Sequence, residues 1–279
     1  MAKKVVVTGC HGQLGRAIKQ ILAEHYQLIN TDVAELDITD VSAVLALVRE
    51  TKPYGIINCA AYTAVDKCEE DMENAYRINA IGTRNLAMAA REAKAKLVHI
   101  STDYVFDGRG NMPYTEFDPT GPIGVYGASK LAGENFVKEF ADQYFIVRTA
   151  WLYGEGANFV RTMLRLSKEK KVVQVVADQI GTPTSAVELA RAIAWLLPTD
   201  EYGLYHGTCA GECSWADLAE ATYRLMGLKM EVERISTAEY KTAAKRPAYS
   251  VLRNYMLELI GGYRFAYWHD ALKEHLKNT

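Results

Sequence analysis

The chain lacks any apolar run that approaches the roughly 20 residues needed to cross a bilayer. Its N-terminal Met-Ala-Lys-Lys leads directly into the apolar residues 5–7, without the long apolar segment of a signal peptide. The net charge of −2 gives no electrostatic reason to expect nucleic acid or an anionic membrane as a partner. We therefore expect a soluble cytoplasmic protein that is not exported.

Cysteine is also scarce. The chain has five cysteines, an odd number, and at 279 residues it does not need disulfides to stabilise its core. Cys209 and Cys213 form the closest pair, and no second Cys or His pair stands at zinc-finger spacing. We expect reduced, partly buried thiols and no metal site.

Short apolar runs alternate with longer amphipathic stretches through the first half of the chain. Strands are predicted at residues 5–7, 27–30, 56–58, 97–101 and 145–148. Asp40 is placed to cap a helix over 41–49, and one long helix is predicted over 71–94. This alternation is typical of βαβ units on a parallel sheet. The predicted fold class is therefore α/β, with a Rossmann-type doubly wound parallel sheet.

A glycine-rich turn follows the first predicted strand and opens the first predicted helix. Its sequence is Gly9-Cys10-His11-Gly12-Gln13-Leu14-Gly15. A pyrophosphate there would meet free backbone N–H groups and the positive end of the helix dipole. The spacing is GxxGxxG rather than the GxGxxG of the usual dinucleotide fingerprint, but its position directly after the first strand indicates a dinucleotide-binding turn.

Asp32 lies at the end of the second predicted strand, where a carboxylate would accept a hydrogen bond from the adenosine ribose. A carboxylate there would repel the 2′-phosphate of NADPH, so we expect NADH or NADPH as cofactor with NADH favoured. Asp37 competes for the same role, and Ile38 beside it could flank the adenine. His11 and Arg16 lie near the glycine turn and could soften the preference against NADPH.

Small and polar residues follow two further predicted strands. The third strand ends in Asn58-Cys59-Ala60-Ala61-Tyr62, and the fourth ends in Ser101-Thr102-Asp103-Tyr104. Small side chains after the third strand would let a cofactor lie against the backbone. Because the carboxyl ends of parallel strands form the ligand-binding edge of such sheets, we expect both segments to share one crevice with the glycine turn.

Tyr126 and Lys130 stand four residues apart in a predicted helix, so both side chains lie on one face. An ammonium beside a phenol favours the phenolate, which lowers the tyrosine pKa from about 10 toward neutrality. Such a phenol can donate and accept a proton at cellular pH. The spacing alone also occurs by chance on exposed helices, and its convergence with the strand ends is what favours a catalytic pair.

After about residue 150 the alternation weakens. Isolated helices are predicted around 185–197 and 214–226, separated by loops. We predict an NAD(P)-binding Rossmann domain over residues 1–150. Residues 151–279 are expected to form a smaller mixed α/β C-terminal substrate region, with a cleft between the two and some crossing of the chain between them.

Taken together, these motifs resemble those of the extended short-chain dehydrogenase/reductase superfamily. Further stretches narrow the resemblance to the dTDP-4-dehydrorhamnose reductase family: Ala64-Val65-Asp66-Lys67, Arg148-Thr149-Ala150-Trp151-Leu152-Tyr153-Gly154, Asp178-Gln179-Ile180-Gly181-Thr182-Pro183-Thr184 and Arg246-Pro247. The resemblance covers nearly the whole chain.

The resemblance implies reduction of the C4 keto group of dTDP-4-dehydro-L-rhamnose to dTDP-L-rhamnose by NADH or NADPH. Tyr126 would protonate the developing alkoxide, Thr102 would hydrogen-bond the same oxygen, and Lys130 would lower the tyrosine pKa and hold the nicotinamide ribose. With Tyr126 and Lys130, the implied cofactor-binding residues are Gly9, His11, Gly12, Gln13, Leu14, Gly15, Asp32, Asp37, Ile38, Cys59, Ala60, Ala61 and Tyr62.

The implied substrate site includes Thr102 and four further residues. Asp103 and Trp151 match positions that face the sugar. Gln179 and Arg246 match positions that reach the nucleotide diphosphate, for which the planar fork of an arginine is well suited. The expected partner is thus a dTDP-sugar.

Some family members bind magnesium between subunits through two glutamates. This chain has Ala17 and Val187 at the corresponding positions, with Glu188 beside the second. We therefore expect a monomer, or a homodimer that forms without a metal.

Two alternatives stay open. The first is another nucleotide-sugar enzyme of the same superfamily, such as an epimerase, a dehydratase or a reductase for a different sugar. Dehydratases place Asp-Glu after the threonine, whereas Thr102 is followed by Asp103-Tyr104. The second is a non-catalytic NAD(P)-binding subunit like that of methionine adenosyltransferase, against which the presence of Thr102, Tyr126 and Lys130 argues.

Overall fold

Strands and helices alternate through the first half of the chain, as the apolar pattern predicts. The computed structural model describes residues 2–277. In chain order the first elements are β1 (Lys4–Thr8), α1 (Gln13–Leu22), β2 (Gln27–Thr31), α2 (Val41–Thr51), β3 (Gly55–Asn58), α3 (Val65–Glu70), α4 (Met72–Tyr76), a π-helical segment (Arg77–Gly82), α5 (Thr83–Ala93), β4 (Lys96–Thr102), a 3-10 turn (Asp103–Val105), α6 (Val125–Phe140) and β5 (Tyr144–Thr149). Asp40 caps α2, as predicted, by accepting from the N–H groups of Ser42 and Ala43.

The second half has shorter strands. Its elements are β6 (Leu152–Tyr153), α7 (Phe159–Leu166), β7 (Val172–Val176), β8 (Ile180–Gly181), β9 (Thr184–Ser185), α8 (Ala186–Leu196), β10 (Gly203–His206), β11 (Cys213–Ser214), α9 (Trp215–Leu225), β12 (Glu231–Ile235), α10 (Tyr255–Leu259) and α11 (Trp268–Lys277). The predicted helices around 185–197 and 214–226 correspond to α8 and α9. A reciprocal capping box between Ser214 and Asp217 fixes the start of α9.

Six strands form one parallel sheet in the order β10-β5-β4-β3-β1-β2. Alternation along β1 builds a core on each face: Val5 and Val7 pack with residues of α1 and α8, whereas Val6 packs with residues of α2 and α5. Fully burying one such valine stabilises the fold by about 1.5–3 kcal/mol. The sheet has helices on both faces, so the predicted Rossmann-type fold is confirmed.

The strand order reverses at β1, whose neighbours are β2 and β3. Thr8 and Asn58, the last residues of β1 and β3, stand opposite each other in the ladder. The glycine turn and the segment after β3 therefore leave the sheet side by side, at the switch point where doubly wound sheets bind ligands.

Two features were not predicted from the sequence. The helix predicted over 71–94 is confirmed as one continuous helical stretch that Asp71 caps, but its middle, between α4 and α5, is π-helical. Apolar spacing does not reveal this change. β10 was not predicted, and it returns the chain to the sheet beside β5. The division into two domains at residue 150 stays a prediction.

The five cysteines are unpaired thiols, and Cys59 is the only one of them that is not fully buried. Burial raises the pKa of both Cys59 and Cys209 to about 12, which makes them poor nucleophiles. No helix within residues 2–277 is long and apolar enough to span a bilayer.

Candidate active site

A cavity of about 970 Å³ opens at the carboxyl edge of the sheet. Its walls come from the ends of β1, β3 and β4, from the start of α6, and from the C-terminal region that follows β5. The predicted site residues that line it are Gly9, His11, Gly12, Gln13, Leu14, Gly15, Asp32, Asp37, Ile38, Cys59, Ala60, Ala61, Thr102, Asp103, Tyr126, Lys130 and Trp151. The strand ends therefore converge as the sheet rule predicts.

The glycine turn forms a cradle that side chains would fill. Gly9 has a φ of +64°, and a Cβ there would lie 2.7 Å from the backbone nitrogen of Ala60. A Cβ on Gly15 would overlap the carbonyl oxygen of Gly9. Gly12 stands at the N-cap of α1 and brings no capping side chain, so the helix start can donate N–H groups to a ligand. These features fit the pyrophosphate of a dinucleotide.

Asp32 lies beside this cradle and closes it toward β2. Its carboxylate accepts from the N–H of His11 at 3.0 Å and from the N–H of Val33 at 2.9 Å. Arg16 donates its Nε to the carbonyl of His11 at 2.9 Å, which brings a guanidinium to the same turn. The glycine turn thus has a carboxylate beside it, Asp32, that would accept from a ribose hydroxyl. It also has a nearby cation, the Arg16 guanidinium.

Tyr126 and Lys130 lie in the first two turns of α6, on the face turned to the end of β4. The Lys130 Nζ donates to the carbonyl of Ile100 at 2.6 Å. Burial lowers the pKa of Lys130 to about 8. Thr102, the last residue of β4, lines the same cavity as Tyr126 and Lys130.

The expected lowering of the Tyr126 pKa is wrong. Burial raises the pKa of Tyr126 above 10, the nearby Thr102 hydroxyl offsets only part of this, and the charge of Asp103 acts in the same direction as burial. Helical spacing places Lys130 on the correct face but does not reveal that the half-buried phenol packs against the Tyr104 ring and lies near the Asp103 carboxyl. The consequence is a protonated phenol at neutral pH, the form that can donate a proton.

Asp103 is a buried carboxyl beside the same hydroxyl. Thr102 donates to its Oδ1 at 3.0 Å, while its Oδ2 has no hydrogen-bond partner within residues 2–277. Burial raises the pKa of Asp103 to about 6. The Tyr104 ring meets the Tyr126 ring edge to face at 5.5 Å and packs it from the side.

Trp215 is a cavity residue that the sequence interpretation missed. Its ring lies flat on that of Trp151, with centroids 3.5 Å apart. The sequence pattern predicts a core position for an aromatic residue at the first position of an amphipathic helix, so only its contacts show that it reaches the cavity. Arg77, in the π-helical segment, also lines the cavity near Asp37, and it was missed because a charged residue within a helix is ordinarily exposed to solvent.

Three predicted residues lie outside the cavity lining. Tyr62 is held by its backbone, which donates to and accepts from the Asn79 side chain at 2.8 and 3.1 Å. Gln179 accepts from the Trp215 indole N–H at 3.2 Å, and thus lies at the edge of that ring. Arg246 pairs with Asp66 at 2.8 Å. Their roles toward a ligand stay predictions.

Ala17, Val187 and Glu188, which the sequence resemblance compares with magnesium ligands, line a second cavity of about 440 Å³. Ala17 and Val187 offer no ligand atom there. The Glu188 carboxylate is used inside the chain, because it accepts from Arg191 at 2.7 Å, from the Tyr263 hydroxyl at 3.0 Å and from the N–H of Ala266 at 2.9 Å. These residues do not fit a magnesium site.

Comparison with known proteins is consistent with this geometry. The family described as RmlD substrate binding domain matches residues 3–279. A crystal structure of a dTDP-4-dehydrorhamnose reductase from Clostridium acetobutylicum is 52% identical, covers 99% of both chains and superposes with a TM-score of 0.97. The chain belongs to the dTDP-4-dehydrorhamnose reductase family.

Two other members of this family bear on cofactor and substrate. The enzyme from Bacillus anthracis, solved in complex with NADP, is 46% identical over 100% of both chains with a TM-score of 0.98. A dTDP-4-keto-6-deoxy-D-glucose reductase from Streptomyces niveus is 40% identical over 98% of this chain and 96% of its own. The family predicted from the sequence motifs is thus confirmed.

Proposed function

We propose that the protein is an NAD(P)H-dependent reductase that converts the C4 keto group of dTDP-4-dehydro-L-rhamnose to the alcohol of dTDP-L-rhamnose. The observation that carries the proposal is the meeting of Thr102, Tyr126 and Lys130 at the end of β4, beside the glycine cradle. Family membership supports the same reaction, since the relatives are reductases of dTDP-linked keto sugars.

Tyr126 is the proposed proton donor. Its raised pKa keeps the phenol loaded with the proton that the new alkoxide at C4 must receive. Thr102 donates a hydrogen bond toward the same oxygen and stabilises its developing charge. General acid catalysis contributes about 10²–10⁴-fold, or roughly 3–5 kcal/mol of barrier lowering.

NAD(P)H supplies the hydride when it is bound. We propose that the backbone N–H groups at the start of α1 hold its pyrophosphate, and that Lys130 holds its nicotinamide ribose. Asp32 is proposed to bind the adenosine ribose and to favour NADH. Arg16 is the cation that can admit the 2′-phosphate of NADPH, and the relative from Bacillus anthracis was solved in complex with NADP.

Trp151 and Asp103 are proposed to face the sugar, with Gln179 and Arg246 directed to the diphosphate. The relative from Streptomyces niveus reduces a different 4-keto sugar, so dTDP-4-keto-6-deoxy-D-glucose is the competing substrate. We further propose a cytoplasmic enzyme that is a monomer or a homodimer formed without metal. Sedimentation with and without EDTA tests the last point, and a change in mass would contradict it.

The decisive assay follows oxidation of NADH and of NADPH with each of the two 4-keto sugar nucleotides. We expect reduced cofactor to be consumed in proportion to dTDP-L-rhamnose formed, with product stereochemistry read by NMR. Faster turnover of dTDP-4-keto-6-deoxy-D-glucose would instead identify that compound as the substrate. Sugar conversion without net cofactor consumption would indicate an epimerase, and binding without conversion would indicate a non-catalytic subunit.

A further inference from the structure

The catalytic face of α6 carries a third ionisable residue. Tyr126, Lys130 and Glu134 follow one another at intervals of four residues, so their side chains form one stripe along the helix. Glu134 is completely buried. The reaction proposed above assigns no role to it, although it lies one turn beyond the lysine.

The Glu134 carboxylate is held by hydrogen bonds to both of its oxygens. Ser101 donates its hydroxyl to Oε1 at 2.5 Å, and Arg148 donates to Oε1 at 2.9 Å and to Oε2 at 2.7 Å. This paired arrangement is the rigid form of an arginine–carboxylate contact. The Arg148 guanidinium also lies over the Phe106 ring at 5.1 Å.

Both partners come from strands that end at the reaction site. Ser101 directly precedes Thr102 on β4, and Arg148 stands opposite Ser101 on β5. The buried network therefore connects α6 to β4, the strand that ends at Thr102, and to the neighbouring strand β5. The carbonyl that receives the Lys130 ammonium belongs to Ile100, one residue earlier on the same strand.

A buried ion pair is weak evidence for stability, because apolar residues of similar volume often stabilise a core equally well. The negative charge of Glu134 favours the ammonium form of Lys130, whereas the burial of Lys130 disfavours that form. Two other titratable groups act with Lys130 electrostatically. Burial raises the pKa of Cys59 to about 12 and lowers that of His99, so both are neutral near pH 7.

We propose that Glu134, fixed by Arg148 and Ser101, is a positioning residue that keeps Lys130 charged and in place beneath Tyr126. The inference deepens the proposed reductase function and rests on it for the role of Lys130. In this arrangement the negative charge of Glu134 offsets the unfavourable effect of burial on the Lys130 ammonium. Glu134 itself does not line the cavity, although its hydrogen-bond donor Ser101 does.

The test is the protonation midpoint of Lys130, measured by NMR on protein with carbon-13-labelled lysine. The Lys130 signal is assigned by its absence in Lys130→Met. In Glu134→Gln we expect the midpoint to fall by about one pH unit or more, since the counter-charge is lost. The matched control is Glu139→Gln, the same substitution at an exposed position of α6, which should leave the midpoint unchanged.

Glu134→Gln leaves Arg148 buried without a counter-charge and could prevent folding. The double variant Glu134→Leu with Arg148→Met removes both charges at similar volume, and a smaller fall in midpoint is expected there, because loss of the Arg148 cation offsets part of the effect. An unchanged midpoint in either folded variant would overturn the proposal and leave the pair a purely structural contact. The titration needs no turnover, so a failure of the proposed reductase activity would not be mistaken for this result.

The pH dependence of turnover gives the second readout. In Glu134→Gln, Lys130 should lose its proton at a lower pH. The alkaline limb of the kcat profile should therefore shift to lower pH by the same amount as the NMR midpoint. A reduced kcat with an unshifted limb would contradict the proposal, because a structural defect lowers the whole profile without moving it.

Discussion

The indole ring of Trp151 lies flat on that of Trp215, with centroids 3.5 Å apart and planes inclined by 7°. Trp151 adopts a φ of +46°, a left-handed conformation that costs a residue with a side chain about 1–3 kcal/mol. Gly181 lies directly against the Trp151 indole. The strained backbone, the stacked partner and the glycine together hold this indole at the cavity wall.

Gly181→Ala tests whether this position matters to the substrate. A Cβ at residue 181 would overlap the Trp151 indole, so the ring must move. We expect kcat/KM for the sugar nucleotide to fall by about tenfold or more, as a 1 Å misplacement can cost up to 10²-fold, while cofactor affinity is kept. Gly121→Ala is the control, since its Cβ would make only an ordinary contact at 3.6 Å. Equal activity in Gly181→Ala and Gly121→Ala would show that the position of Trp151 does not matter to the reaction.

As the pH rises, Asp103→Asn is predicted to become more stable than the wild type, while losing activity. Burial raises the pKa of Asp103 to about 6, so between about pH 4 and 6 the unfolded chain loses this proton before the folded protein does. The wild type therefore loses stability across that window, on the order of 3 kcal/mol, and the penalty is constant above it. The asparagine variant does not ionise and escapes this loss.

Urea unfolding of both proteins across this pH range measures the effect. The difference in unfolding free energy should move in favour of Asp103→Asn up to pH 6 and then level off. Asp142→Asn, at an exposed position, should show no such trend. A difference that does not vary with pH would show that Asp103 titrates normally.

Asp32→Ala tests the cofactor choice. Removing the carboxylate removes both the expected ribose acceptor and the repulsion of a 2′-phosphate, so the ratio of kcat/KM for NADH to that for NADPH should fall. Asp37→Ala serves as comparison, because the Asp37 carboxylate is engaged by the backbone and side chain of Thr39. A larger change of this ratio in Asp37→Ala would show that Asp37, rather than Asp32, discriminates between NADH and NADPH.

Most of the sheet could be predicted from sequence because its signals are local. The β1 valines, the glycine turn and the Asp40 cap each act within a few residues, and they fixed strand ends that later converge. β10 and the π-helical segment could not be predicted in this way. β10 is a short strand that exists only through its pairing with β5, and the π-helical segment depends on contacts of Asn79 with distant residues.

The candidate site shows the same division. Tyr126, Lys130 and Thr102 could be predicted because their spacing and strand-end positions are sequence properties. The direction of the Tyr126 pKa could not, because it depends on burial depth and on Asp103 nearby. Trp215 and Glu134 were absent from the prediction because their partners lie far away in the chain.

The most direct test of the central claim compares Tyr126→Phe with Tyr144→Phe in the turnover assay. Both remove one phenol oxygen, but Tyr144 begins β5 at the opposite edge of the sheet. The account predicts that Tyr126→Phe lowers kcat by about 10²–10⁴-fold with NADH and NADPH binding retained, and that Tyr144→Phe keeps wild-type turnover. Wild-type turnover in Tyr126→Phe would contradict the assignment of Tyr126 as the proton donor.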